Sequence, residues 1–322
     1  MYLMDYKIVF DNNGKKFQLV LLNSFLIKKS VENLADLATI LLPECILNSP
    51  LNIEDKISRG TQVSIELGYN GKLKNEFNGF IQDIRVNDSS LQILCEDDLF
   101  IFRKKVSDKI FKSTTVKQIV NYLIQEIDSS YKLVCDYDLG YEKFAIHQAT
   151  GYDVLKKLKE EIKCNIYFNA LDKELHIHAP FSEKKGHVKY SMQQNIESSS
   201  LEFKKSVDKK VEVSIESIDS KGKITTFKTG TTGGDSITLK VGAMPEADVK
   251  RIAESELIKR SYDGFEGSFD TWLIPFVEPT FSIEYEDKDY PNKKGVYYVS
   301  AVETSFSDGG GKRTITLGVK LS

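Results

Sequence analysis

A stretch of alternating apolar and polar residues, interrupted by four glycines, constrains the fold of this chain more than any other feature. It reads GTQVSIELGYNGKLKNEFNGFIQDIRV and covers residues 60–86. Residues 63–67 alternate between apolar and polar side chains, which is typical of a strand with one buried face. The Asn70-Gly71 pair can adopt the positive φ angles of a two-residue turn, and residues 77–81 resume the alternation. The stretch therefore predicts a β-hairpin.

The rest of residues 1–105 has the same strand-like character. Asn13-Gly14 predicts a second hairpin between two short apolar runs, and residues 91–95 predict a further half-buried strand. The run SVENLADLATILLP predicts a short helix that leads into a strand ending before Pro43. Because glycines permit the sharp bends of a small closed sheet, we predict that residues 1–105 form an antiparallel β-barrel.

Residues 106–190 show helical periodicity instead. Apolar stripes predict one helix in STTVKQIVNYLIQEI and another in ATGYDVLKKLKEEI. Thr150 and Asp153 have the spacing of a capping box at the start of the second helix. Residues 165–168 and 174–178 predict a hairpin, so we expect a small α+β domain here.

Residues 191–322 return to strand patterns and carry one further helix. The segment PEADVKRIAESELIKRSY begins with proline and acidic residues, which predicts a helix at about 245–261. The strands around it end in a hairpin at three glycines, 309–311, and predict a second β-barrel. The predicted fold class is therefore mainly β with an α+β insertion: two small antiparallel β-barrels and a helix-containing middle domain.

Composition excludes several classes of function. The chain has 322 residues, enough for two or three domains, and a net charge of −3, which argues against a nucleic-acid binder. The four cysteines form no CxxC motif, so we predict a reduced protein without disulfides; they are Cys45, Cys95, Cys135 and Cys164. We also predict no signal peptide, and the apolar clusters are too short to span a bilayer.

Two histidines lie two residues apart on a predicted strand. His176 and His178 would share one face, and this spacing can supply two metal ligands. The sequence offers no third ligand close by, since His187 is more remote. We therefore interpret the pair as half-exposed strand histidines and predict neither a metal site nor a cofactor.

Two other segments resemble ligand-binding loops only in part. Around Asp287 and Asp289 the sequence opens like a calcium loop, but Pro291 occupies the next ligand position and the required glycine and glutamate do not follow. The glycine-rich segment at 229–236, TGTTGGDS, lacks the Lys-Ser/Thr pair of a phosphate-binding loop and precedes a predicted strand. We interpret the first segment as a solvated turn and the second as a mobile loop between strands.

Three adjacent acidic residues could supply the paired carboxylates of a glycoside hydrolase. They are Glu96, Asp97 and Asp98, and we interpret them as a solvated strand end. The sequence contains no GxSxG or HExxH motif and no Cys/His pair with a nucleophile signature. We predict that the protein is not an enzyme and has no catalytic residues.

The order and spacing of these features resemble phage baseplate hub proteins. That family includes the late control protein D group, the Mu-like tail hub and the hub part of type VI secretion spike proteins. In it a G-x-x-V-x-I-x-L-G-Y strand precedes an F-x-G-x-I strand and a strand that ends in C-x-D. The matching positions are Gly60, Val63, Ile65, Leu67, Gly68, Tyr69, Phe77, Gly79, Ile81, Cys95 and Asp97. The family's order also holds for the upstream run LADLATILLP, the middle domain, the helix at 246–260 and the final strands. The resemblance therefore covers nearly the whole chain.

The resemblance implies a homotrimer in which each subunit supplies two barrels. Three subunits would form a pseudo-six-fold ring that adapts a six-fold tail tube to a three-fold spike, because six similar surfaces then face the tube. It implies a tail tube protein, a spike protein and a tape-measure protein as partners, with DNA or cargo passing only transiently. No spike domain follows the second barrel, so we expect the spike to be a separate chain.

The resemblance also implies a location, and two other functions stay open. We expect synthesis in the bacterial cytoplasm, assembly into a phage tail baseplate or injection machine, and no stable membrane association. One alternative is a binding module in which the β-barrels hold a glycan or peptide. The other is a cell-wall hydrolase, which would need two carboxylates facing each other across a cleft.

Overall fold

The protein is mainly β, as the sequence predicts, with few helices. The computed structural model describes residues 3–43, 56–87, 90–205, 210–218 and 222–322. Seven strands form what we name the first β region: β1 (Met4–Asn12), β2 (Lys15–Gln18), β3 (Ser24–Ser30), β4 (Leu37–Pro43), β5 (Gln62–Tyr69), β6 (Lys72–Asn87) and β7 (Ser90–Glu96).

The hairpin predicted at 60–86 is confirmed as β5 and β6. Tyr69 pairs with Lys72 across the turn, where Asn70 and Gly71 have φ angles of 52° and 73°. Asn13 and Gly14 adopt the same conformation between β1 and β2, as the sequence predicts. In both turns the Asn-Gly pair supplies the two positive φ angles that the tight connection needs.

The short helix predicted before β4 is wrong. Residues 31–36 form turns and bends, and only the strand that follows them is present. The Val31 amide donates to Ser300 O at 3.0 Å, and the Val31 carbonyl accepts from Lys159 Nζ at 2.7 Å. Backbone groups that a helix would pair internally are therefore engaged by distant parts of the chain, which overrides the local helical pattern.

The middle region begins with a 3-10 helix, Asp98–Arg103, directly after β7. Its elements in chain order are β8 (Lys109–Thr115), α1 (Val116–Ile127), β9 (Lys132–Cys135), β10 (Gly140–Ile146), α2 (Gly151–Ile162), β11 (Asn165–Asn169) and β12 (Glu174–His178). Thr115 and Thr150 form capping boxes at the starts of the two helices, with Gln118 and Asp153 as their partners. The predicted helices and the β11–β12 hairpin are confirmed.

The remaining elements follow after residue 186. They are β13 (His187–Ser191), β14 (Ile196–Lys204), β15 (Val211–Ile218), β16 (Ile224–Gly230), β17 (Asp235–Val241), α3 (Glu246–Arg260), β18 (Gly264–Thr271), β19 (Ser282–Glu286), the 3-10 helix Pro291–Lys293, β20 (Gly295–Ser307) and β21 (Gly310–Lys320). We name β13, β14 and β18–β21 the second β region. The predicted helix at about 245–261 is confirmed as α3.

One sheet of 13 strands runs through both β regions. Its main order is β14-β18-β21-β20-β3-β4-β7-β6-β5-β1-β2. Off this path, β19 pairs with β20 and β13 pairs with β19. The two regions meet where β20 pairs with β3, from Ala301↔Ser30 to Ser307↔Ser24. Within the described residues no strand pairing closes either region on itself, so the two barrels stay a prediction.

Three large apolar cores and one small apolar cluster are present among the described residues. One belongs to the first β region, around residues such as Ile8 and Ile65, and a second to the second β region, around Phe269 and Ile315. The core of the middle region extends further along the chain than 106–190, because residues of β15 and α3 pack into it, Ile252 among them. The boundaries predicted at 105 and 190 stay a prediction.

Two composition-based expectations concern the described residues directly. Cys95, Cys135 and Cys164 are free thiols, with Cys95 and Cys164 buried, while Cys45 lies outside the described residues. None of the described helices combines the length and the apolar character that crossing a membrane would require.

Candidate functional site: the polar junction between the two β regions

The two β regions are joined by charged groups as well as by the β3–β20 pairing. We name this set of groups the polar junction: Lys29, Asp36, Glu76, Asp97, Glu278 and Arg313. The described residues contain a cleft of about 440 Å³ beside it, lined by Lys29, Asp36, Asp97, Tyr167, Lys185 and Glu278 among others. Side chains of the first β region, the middle region and the 276–280 segment therefore meet at this cleft.

Arg313 and Glu76 form a buried ion pair across the junction. Arg313 lies on β21 and is 1% exposed, and its guanidinium donates to the Glu76 carboxylate. It also donates to Leu273 O at 2.8 Å and lies over the Phe276 ring, 4.9 Å from its centroid. Burial raises the pKa of Glu76, and the charge of Arg313 opposes that rise.

A β-bulge allows Glu76 to reach this position. Ile65 pairs with Phe77, but the next residue of β5, Glu66, pairs with Asn75, so Glu76 is the extra residue of β6. A bulged residue leaves the regular alternation and can direct its side chain away from the face that the alternation predicts. Here the side chain crosses to a strand of the other β region.

Lys29 and Glu278 form a second ion pair, with 2.6 Å between Nζ and Oε1. Burial alone would lower the pKa of Lys29, but Glu278 and the neighbouring acids outweigh it and the pKa is raised. Burial likewise acts to raise the pKa of Glu278, and the charge of Lys29 outweighs it, so that pKa is lowered. Each partner stabilises the charged form of the other.

Asp36 and Asp97 hold the turn before β4 against the end of β7. Asp97 accepts a hydrogen bond from the Asp36 amide at 2.9 Å and another from the Leu99 amide at 3.0 Å. Burial raises the pKa of Asp36 to about 6, against the opposing charge of Lys29. Burial also raises the pKa of Asp97, and the nearby Asp36 carboxylate adds to the rise.

The other residues of the family-like motif have packing or backbone roles. Its apolar members are buried in the first core: Val63, Ile65, Leu67, Phe77, Ile81 and Cys95. A Cβ at Gly68 would lie 2.1 Å from Lys72 O, and one at Gly79 would lie 2.2 Å from Glu96 O. Gly60 has a φ angle of 90°, and Tyr69 is partly buried against the core. Of the motif residues, Phe77 and Asp97 line the cleft.

The interpretation of Glu96, Asp97 and Asp98 as a solvated strand end is wrong, because all three are buried. Glu96 accepts two hydrogen bonds from Arg103, at 2.6 and 2.7 Å. Asp98 accepts one from the Tyr131 hydroxyl, and Asp97 caps backbone amides. Each carboxylate thus has its own partner within the structural framework.

The histidine pair is also more buried than predicted. His176 and His178 are 8% and 5% exposed, and burial lowers the pKa of His176. The structure brings Glu183 to them, a residue that sequence reasoning missed because it lies in the loop after β12. His187 is elsewhere, with Nδ1 at 3.0 Å from Ser282 Oγ.

The prediction of a solvated turn around Asp287 and Asp289 is wrong for Asp287. Asp287 is buried and accepts from the Asp289 amide at 3.0 Å, while Lys293 Nζ lies 3.6 Å from its other oxygen. Residues 231–234 connect β16 with β17, as the glycine-rich sequence predicts.

Sequence reasoning also missed the junction, although one signal was available. Arg313 has the same strand parity as Ile315, Leu317 and Val319, so simple alternation places it on the buried face. An arginine there needs a buried acid, but the sequence cannot show that a bulge supplies Glu76.

Comparison with known proteins gives matches among solved structures only: no family model and no curated protein matches the sequence. The tail protein from Neisseria meningitidis MC58 superposes with a TM-score of 0.69 at 15% identity, over 97% of this chain and 96% of that one. The 43 kDa tail protein of prophage MuSo2 from Shewanella oneidensis gives 0.66 at 16%, over 97% and 98%.

A secretion protein shows the same architecture. The E. coli c3393 protein, a type VI secretion component with structural similarity to the T4 tail proteins gp27 and gp5, gives a TM-score of 0.64 at 12% identity. The match covers 99% of this chain and 77% of that one. The chain therefore has the fold of these tail and secretion proteins, which confirms, at the level of the fold, the resemblance predicted from its sequence.

Proposed function

We propose that the chain is the structural baseplate hub of a contractile phage tail or of a related injection machine. Three copies form a pseudo-six-fold ring that adapts a hexameric tail tube to a trimeric spike protein. The tail tube and tape-measure proteins are further partners, and DNA or cargo passes through transiently. The protein is made in the bacterial cytoplasm and then assembled into the tail or machine.

The observation that carries this proposal is the similarity to tail proteins over the full length of both chains. Both β regions and the middle region lie within the matched length, so the support comes from the whole architecture. A fold alone does not establish a function, and the ring therefore needs its own experiment.

The polar junction suits a part that carries mechanical load. Seven residue pairs of β3 and β20, together with the Arg313–Glu76 pair, hold the two β regions in one sheet. A subunit that presents two surfaces to a six-fold tube must keep a fixed angle between them. Buried, paired charges add directional contacts that a purely apolar contact lacks.

Mass photometry and light scattering of the purified chain test the trimer. We expect a mass three times that of the 36.5 kDa chain, in a concentration-dependent equilibrium. A chain that stays monomeric at high concentration and with its spike protein present would contradict the hub, while a structural role elsewhere in a tail would survive.

The fluorescence of Trp272 offers a second measurement of the equilibrium between monomer and trimer. It is the only tryptophan, it is 48% exposed, and the nearby Ile274 is equally exposed. Exposed apolar pairs of this kind are commonly covered in assemblies. We expect its fluorescence to shift to shorter wavelengths on trimerisation and Trp272→Ser to weaken the trimer. In contrast, Ile110→Ser, at a more exposed position of the middle region, should leave the trimer intact.

A glycan- or peptide-binding module is the second candidate, because the cleft beside the junction contains Tyr167 and Phe276 together with charged groups. Ligand binding there would raise the unfolding temperature. A screen of cell-wall fragments and peptides that raises it, combined with a monomeric mass, would favour this function over the hub.

A further inference from the structure

We propose that His176, His178 and Glu183 bind a divalent transition-metal ion, with Zn²⁺ the best fit. The three candidate ligand atoms are His176 Nδ1, His178 Nε2 and Glu183 Oε1, and all lie within 4.8 Å of one another. The two nitrogens are 3.2 Å apart, and the carboxylate oxygen is 3.5 Å from His178 Nε2 and 4.0 Å from His176 Nδ1. Ligands at zinc bond lengths in a tetrahedron are about 3.3 Å apart, so small adjustments place an ion among them.

The β11–β12 hairpin fixes two of the ligands. His176 and His178 lie on β12 and point to the same face, and Tyr167 of β11 pairs with His176 in the register. The Tyr167 ring stacks on the His176 imidazole with 4.6 Å between centroids. Its hydroxyl donates to Glu183, with 2.7 and 2.6 Å to the two oxygens. One aromatic residue therefore orients a histidine and the glutamate together.

Each imidazole has a carboxylate near its other nitrogen. His176 Nε2 lies 3.0 Å from Glu174 Oε2, within hydrogen-bond geometry. His178 Nδ1 lies 3.0 Å from Asp136 Oδ1, without the alignment of a hydrogen bond. Carboxylates in these positions hold metal-bound histidines in the required tautomer and raise their basicity. A small rotation of the His178 ring would complete the second of these contacts.

The local charge favours a divalent cation. Glu174, Glu183 and Asp136 carry three negative charges, and Lys185, whose Nζ lies 3.8 Å from the Tyr167 ring centroid, carries one positive charge. With neutral imidazoles the cluster therefore has an excess of two negative charges, and one Zn²⁺ ion would balance it. Two imidazoles and one carboxylate are the donors that zinc and its neighbours in the first transition row prefer.

The position of the cluster suggests what the ion would do. Glu183 lies in the loop that connects β12 of the middle region to β13 of the second β region, whereas both histidines lie on β12. An ion bound to all three residues would fasten this loop to the hairpin. Three protein ligands leave the fourth position for water or another small ligand. The burial of both histidines limits the access of solvent to the ion.

Zinc binding to the full, untagged chain tests the proposal. After treatment with a chelator, titration calorimetry with ZnCl₂ should give one ion per chain at micromolar affinity or tighter. Bound zinc should raise the unfolding temperature. His178→Ala and Glu183→Gln should each lower the affinity at least tenfold, and Glu174→Gln about tenfold through loss of the outer contact. Co²⁺ should give the visible absorption of a tetrahedral site.

The chain provides its own control for adventitious binding. It has four histidines, and the other two, His147 and His187, lie outside the cluster. The double variant His147→Ala/His187→Ala should bind zinc like the wild type. Glu183→Gln retains an oxygen that can accept from Tyr167, so it should fold even if His178→Ala does not. Absence of stoichiometric zinc, or unchanged affinity in Glu183→Gln, would overturn the site.

Discussion

The polar junction and the histidine cluster are both buried and charged, but they are neutralised in different ways. At the junction, Arg313 pairs with Glu76 and Lys29 pairs with Glu278. At the cluster, three carboxylates face one ammonium group and two imidazoles. Burial penalises any charge without a partner. The two remaining acids of the junction, Asp36 and Asp97, have pKa values raised by burial, which favours their neutral forms, whereas the cluster favours an added cation.

The difference also separates two ways of connecting regions of one chain. The junction connects the two β regions through fixed pairs that include backbone strands and side chains. The cluster connects a hairpin to a loop through groups that change partners if a metal or proton binds. We therefore expect the junction to respond mainly to the removal of a partner, and the cluster mainly to chelators and metal ions.

Arg313→Met should give the largest loss. It leaves Glu76 buried without a partner, which costs about 3–5 kcal/mol of unfolding free energy. Urea denaturation of the two proteins measures this. The double variant Arg313→Met/Glu76→Gln removes both charges and should recover much of the loss. If the double variant is no more stable than Arg313→Met, the Arg313–Glu76 pair is not what stabilises the charged form of Glu76.

Asp36→Asn should change the pH dependence of stability. The pKa of Asp36 is raised from 3.8 to about 6 in the folded protein, so its contribution is full below pH 3.8 and is lost as the pH rises through 6. Relative to the variant, the wild type should lose about 2 kcal/mol between pH 4 and pH 7. Urea midpoints at each pH measure this difference.

Glu278→Gln provides a control of opposite sign for the Asp36 experiment. The pKa of Glu278 is lowered because Lys29 outweighs the effect of burial. Its contribution is therefore present above the unfolded value and is lost as the pH falls. Equal pH slopes for the two variants would contradict the pairing described for the junction.

Gly79→Ala should disturb the junction through the backbone. The new Cβ would lie 2.2 Å from Glu96 O, so β6, which carries Glu76, must move away from β7. We expect a loss of about 1–3 kcal/mol in thermal or urea unfolding. Gly309→Ala is the matched control, because the nearest atom to its Cβ would be 3.6 Å away. Similar losses in both variants would show that the close approach is unimportant.

Lys28→Ala should have the smallest effect. Lys28 and Glu303 form an ion pair at 3.5 Å across the same β3–β20 pairing, but both side chains are about half exposed. Exposed pairs contribute less than about 1 kcal/mol. A loss as large as that of Arg313→Met in urea denaturation would mean that burial does not distinguish the two pairs.

Local sequence patterns were sufficient wherever neighbouring residues decide the structure. The Asn70-Gly71 turn, the capping box at Thr150 and the apolar stripe of α1 were all predicted, because their partners lie within a few positions. The same reasoning failed at residues 31–36, where the backbone bonds to Ser300 and Lys159 from distant parts of the chain.

The candidate sites depend on contacts that no local pattern contains. His176 and His178 were recognised as a pair, but Glu183 reaches them only because the loop after β12 folds back over the hairpin. The proposal of a metal site therefore reverses the interpretation drawn from sequence. The sequence predicts solvated acids at 96–98, because it does not show that Arg103 and Tyr131 donate hydrogen bonds to two of them.

By itself the sequence determined the three α-helices, the main hairpins and their order, together with the resemblance to baseplate hubs. These follow from periodicity, turn residues and caps, whose energies depend on neighbouring positions. Only the tertiary structure decided that β3 and β20 join the two β regions in one sheet and that a bulge brings Glu76 to Arg313. Arg313 and Glu76, for example, are 237 positions apart in the chain. Such pairings form because buried charges and the unpaired backbone groups of strand edges find their partners in distant parts of the folded chain and not among residues nearby in sequence.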